Sequence, residues 1–143
     1  MLRHLLIIFC LNVFCATYAV ADDIVVVVNQ RNSVNKLSRN DIIDIFMGRN
    51  RQLSSGVTAL PLDLPGSTAE KEHFYARLTG KSLGEINAYW ARLIFTGRAS
   101  PPTLVRSQEE AMQMVTENRS TLAYVNRSKV NSQVKVVFEL NDK

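Results

Sequence analysis

The run Ile24-Val25-Val26-Val27-Val28, inside "DIVVVVN", leaves little choice of architecture. Consecutive β-branched residues favour an extended backbone, and alternation then sends apolar side chains to both faces of the strand. A strand that is apolar on both faces must be covered on both, so it is expected inside a sheet, central to it, with helices above and below.

The rest of the chain supplies those helices at regular intervals. Ser38 with Asp41, Ser67 with Glu70, Ser82 with Glu85 and Ser107 with Glu110 each place a hydroxyl three residues before a carboxylate and just ahead of an apolar-periodic segment. In that spacing the hydroxyl accepts from an unpaired helix amide and the carboxylate reaches back to the capping residue. Leu37 is placed to staple onto Ile42, and Gly48 suits the left-handed residue that ends the first helix. The second helix carries Phe74 and Leu78 and stops near Gly80. In the third, Leu83, Ile86, Trp90, Leu93 and Ile94 fall on one stripe expected to face the sheet, with the spacing of Tyr89, Trp90 and Phe95 suiting packing there. The fourth is expected to turn Ala111, Met114 and Val115 inward. Between and after these helices lie "VTALPL", "TLAYV" and "VKVVFEL", read as strands. "PPTLVRS" reads as a fifth, restricted by Pro101 and Pro102 to a sheet margin. The expectation is a three-layer α/β domain: a mixed sheet of about five strands flanked by about four helices.

The first residues bear on where the domain works. Arg3 and His4 precede an apolar run from Leu5 to Phe14, broken only by Asn12, and Ala19-Val-Ala21 follows. This is the pattern of a secretory signal peptide, too short to span a membrane. It divides the chain into a signal peptide, residues 1–21, and one domain, residues 22–143, with cleavage after Ala21 and a periplasmic destination. Cys10 and Cys15 fall in the removed part, each after a phenylalanine, which argues against lipidation. The domain is expected to fold without a disulfide. It keeps 16 basic against 13 acidic residues, a net charge of +3 that permits an anionic ligand but forms no nucleic-acid stripe.

The chemistry concentrates in "LDLPGSTAEKEHF", Leu62 to Phe74, where a strand turns into a helix. In layered α/β sheets ligands sit at the carboxyl ends of strands. Here Gly66 lets an oxyanion approach the backbone, Ser67 and Thr68 each offer a hydroxyl, and the first helix amides have no intrahelical partner. Two readings fit these residues. Gly66, Ser67 and Thr68 hold a small anion, or Ser67 and Glu70 satisfy the amides themselves as a capping box.

The ordered segments "VNQRNSVNKLSRNDIIDIFMGR", "DLPGSTAEKEHFYARLTG", "AYWARLIFTGRASPP" and "TLAYV" together resemble small secreted proteins related to the phosphate-binding proteins of ABC transporters. The resemblance covers nearly the whole domain. It implies one lobe of the type 2 periplasmic-binding-protein fold and a phosphate-like ligand at Gly66, Ser67 and Thr68, delivered to a membrane transporter or sensor. No cofactor and no enzymatic activity are expected. The alternative is a ligand-free interaction module of the cell envelope that retains the lobe. The chain departs from the family pattern at Asp63, which stands where an arginine is expected, and a carboxylate there should repel a divalent anion. Leu122-Ala-Tyr124 stands in place of Ile-Gly-Tyr.

The remaining residues add no competing chemistry. His73 has no cysteine to join it and reads as an exposed helix position, with no metal site visible. No nucleophile-elbow motif accompanies the serines, so no catalytic set can be assembled. Arg92, Arg98, Arg106, Arg119 and Arg127 form either a solvated face or a docking surface.

Overall fold

A computed structural model describes residues 23–66 and 68–141. The proposed signal peptide and its cleavage site lie outside the described residues, as does Ser67.

The run of valines forms β1 (Ile24–Asn29), buried along its whole length. It is followed by α1 (Arg39–Phe46), β2 (Leu60–Asp63), α2 (Ala69–Thr79), α3 (Leu83–Phe95), β3 (Thr103–Leu104), α4 (Gln108–Glu117), β4 (Thr121–Asn126), a 3-10 turn at Arg127–Lys129, and β5 (Val134–Glu139). The sheet order is β3-β2-β4-β1-β5. β4 takes the central place and β1 the interior place beside it, so both strands are covered as their composition requires. β2 pairs parallel with β3 and β4, whereas β1 runs antiparallel to both β4 and β5. The sheet is mixed, and the carboxyl ends of β2, β3 and β4 share one edge. The two prolines do hold β3 to the margin.

Local sequence signals account for most helix boundaries. Ser38 and Asp41 form a complete capping box at α1, as do Ser82 and Glu85 at α3. Gly48 follows the end of α1 at φ 70°, in the left-handed region that spares glycine the Cβ penalty. At α4 the Ser107 hydroxyl accepts from the Glu110 amide, but the Glu110 carboxylate turns instead to the amide and guanidinium of Arg106.

The core forms on both sheet faces. On one, Tyr124 of β4 stacks on Phe74 of α2 with ring centroids 4.0 Å apart, and Phe46 of α1 meets Phe74 edge-on at 4.9 Å. Alternation turns Ala123 and Val125 to the other face, where α4 packs on β4 and β1. The inward residues of α4 are Ala111, Met112 and Val115, with Met114 only partly buried. Burying aromatic and aliphatic groups on this scale is the main force holding the lobe together.

One expectation is corrected. α3 does not lay its stripe on the sheet: its principal neighbour is α2, and of the five stripe residues only Ile86 and Trp90 are fully buried. Ile94 is 55% exposed and Phe95 93% exposed. An amphipathic stripe fixes which residues share a helix face, but not how far the layer beneath extends. Here the last turn of α3 is left uncovered.

Candidate functional site

The strand-to-helix turn is built on a buried polar cluster. Asp63 closes β2 with its side chain only 8% exposed, and Lys71 of α2 reaches it through a side chain 10% exposed, Nζ to Oδ2 at 3.1 Å. The Tyr75 hydroxyl donates to the same oxygen at 3.1 Å, and the Tyr124 hydroxyl donates to Oδ1 at 2.5 Å. The Leu64 amide in turn donates to the Tyr124 oxygen at 3.1 Å, so the first residue of the turn is pinned to the sheet through a side chain of β4.

Burial, reinforced by the negative charge of Asp63, pushes both phenols far above their ordinary range. They therefore stay protonated as donors. One carboxylate facing one ammonium and two hydroxyls is satisfied and carries no net charge. The expected repulsion of an anion by Asp63 is thus corrected: Lys71 cancels it. The lysine sits at the third helical position, against the usual preference for negative charge at a helix start, and Asp63 explains its presence there.

Above this cluster the backbone is open. Gly66 takes φ 55°, and a Cβ built on it would meet nothing within 4 Å. α2 begins one residue later than its sequence signal indicated, with Thr68 at the cap position and no side-chain capping bond. The Thr68 Oγ1 atom is buried and has no hydrogen-bond partner. This sets α2 apart from α1, α3 and α4, whose capping serines all accept from a helix amide. Glu70 and Glu72 stand in the first turn.

Of the three residues singled out in the sequence, Gly66 and Thr68 therefore flank the open start of α2, while Ser67 is not described. Lys71, Tyr75 and Tyr124, which support the turn from below, were missed. Their one sequence signal is a lysine in a helix first turn shortly after an aspartate that ends an apolar strand.

The other candidates disperse. His73 is half-buried on α2. Arg127 is paired with Asp23 and Glu139, and Arg106 with Glu110. Arg119 lines a polar concavity of about 400 Å³ with Arg31 and Glu117. A larger concavity, about 650 Å³, lies between residues 35–39 and the outer edge of β5, away from the turn. Among the described residues no three His, Cys, Asp or Glu side chains gather as a metal site. No helix among them is long and apolar enough to cross a membrane.

A mixed α/β sheet with a strand-to-helix turn at its carboxyl edge is the architecture of one lobe of the type 2 periplasmic-binding-protein fold. Solved structures carry the comparison further. The chain is similar to an ABC-type phosphate transport receptor from Vibrio cholerae, at 18% identity and a TM-score of 0.64, over 81% of this chain and 45% of that one. It is also similar to a putative phosphate ABC transporter substrate-binding protein with bound phosphate from Clostridium perfringens, at 15% identity and a TM-score of 0.65, over 81% and 44%. PstS from Borrelia burgdorferi matches at 8% identity and a TM-score of 0.62, over 82% and 47%. The chain spans less than half the length of these receptors. No protein-family model and no curated protein matches it.

Proposed function

We propose that this chain is a periplasmic solute-binding-like module that holds phosphate or another small oxyanion at the start of α2 and presents it to a transporter or sensor in the membrane. The observation that carries this reading is the buried Thr68 hydroxyl without a partner, beside a helix start that no side chain of Thr68 caps. The first amides of α2 and that hydroxyl are the donors such a ligand would take, and Gly66 leaves room for it. The likeness to phosphate receptors supports the same class of ligand.

The local charge sets a preference among such ligands. Asp63 and Lys71 cancel, and Glu70 and Glu72 lie in the first turn, so the attraction comes chiefly from amide dipoles. A singly charged oxyanion is favoured over a doubly charged one.

Isothermal titration at millimolar ligand tests the reading. Phosphate is expected to bind more tightly in mildly acidic than in alkaline buffer, where it gains its second charge, and Thr68→Val is expected to weaken it about tenfold. No heat with phosphate, sulfate or small carboxylates removes the proposal and leaves the lobe as an interaction module.

A further inference from the structure

We infer that the C-terminal end of α3 docks on an anionic phospholipid surface. Phe95 is 93% exposed and Ile94 55%, the former a value few large apolar side chains reach on a folded lobe. Their exposure is not a loose end. The Trp90 ring packs so closely on Gly48 that a Cβ there would fall 2.8 Å from it, and the Tyr89 hydroxyl donates to the Met47 carbonyl at 2.6 Å. The helix is therefore held at its middle, at Tyr89 and Trp90, while its last two residues project.

Along the chain the charge beside them has one sign. Arg92 lies three residues before Phe95 and Arg98 three after, and no carboxylate occurs in the chain between Glu85 and Glu109. Neither arginine makes an ion pair among the described residues, whereas Arg106 and Arg127 do. Apolar side chains flanked by free cations at a helix end match an interfacial anchor: the ring enters the headgroup boundary and the guanidinium groups pair with phosphates.

The charge of the patch selects this occupant: two arginines without an ion pair among the described residues flank the apolar pair, and an anionic headgroup layer supplies their counter-charge. Two projecting side chains fit a fluid layer, which needs no preformed pocket.

The test is co-sedimentation of the chain, as purified from cells, with phosphatidylcholine vesicles containing increasing phosphatidylglycerol. Binding is expected to rise with the phosphatidylglycerol fraction and to fall with added salt. Phe95→Ala should lower the partition coefficient about tenfold, and Arg92→Gln with Arg98→Gln about fivefold for each charge removed. Phe95 lies outside the core, so the variants should melt as the parent does, and circular dichroism verifies this. Binding that ignores phosphatidylglycerol, or that these variants leave unchanged, overturns the inference. So does a dimer, seen by sedimentation velocity without lipid, that Phe95→Ala abolishes, because the patch would then be a contact between copies.

Discussion

Replacing Lys71 with methionine keeps most of the stem that packs under the turn and removes only the ammonium. Asp63, its side chain 8% exposed, is then a buried carboxylate with two phenolic donors and no cation. Breaking a buried pair from one side costs about 3–5 kcal/mol, and the two remaining donors put this case near the lower figure, about 3 kcal/mol. Against the roughly 5–15 kcal/mol that separates a folded domain from its unfolded chain, the loss is large. Asp63→Asn together with Lys71→Met removes the orphaned charge, so the double variant should be more stable than Lys71→Met alone by about 1–2 kcal/mol, a coupling outside simple additivity. Urea denaturation at neutral pH measures both, provided the slope with denaturant stays constant. A loss below about 1 kcal/mol in Lys71→Met, with an additive double variant, would show that the pair is solvated and that Asp63 is free to repel an anion.

Other consequences follow from the same geometry. Ser38→Ala removes a complete capping box and should cost about 1 kcal/mol, whereas Thr68→Val, at a helix start without a side-chain cap, should change stability by less than about 0.5 kcal/mol in the same denaturation assay. The phenols of Tyr75 and Tyr124 resist ionising in the folded state, while in the unfolded chain they ionise near the ordinary tyrosine value of 10.0. Their contribution is thus full below that value and declines above it, by about 1.4 kcal/mol per pH unit for each tyrosine. Tyr124→Phe should flatten the alkaline limb of the stability curve, and an unchanged limb would contradict the burial of that hydroxyl.

Much of the lobe is legible in the sequence because its signals are local. A run of valines can be satisfied only inside a sheet, two adjacent prolines only at its margin, and Ser38 with Asp41 or Ser82 with Glu85 only at a helix start. What escaped depends on contacts between distant segments. Asp63 and Tyr124 lie 61 residues apart, so an isolated reading of the turn sees a bare carboxylate and assigns repulsion to it. Burial of the α3 stripe likewise depends on what packs against it, which no periodicity within α3 encodes. The strand-to-helix turn proposed as the site is legible in the sequence as a turn, but the charge beneath it is not, because the compensating lysine reads as an ordinary charged residue on a helix.

The most direct test follows backbone amides by ¹⁵N-resolved NMR while phosphate is titrated into the mildly acidic protein. An anion on the open start of α2 should shift the amides of Gly66, Ala69, Glu70 and Lys71 in a saturable manner, and Thr68→Val should weaken that response. Saturating shifts centred on Arg31 and Arg119 instead, or no saturable shift at the start of α2, would contradict the account.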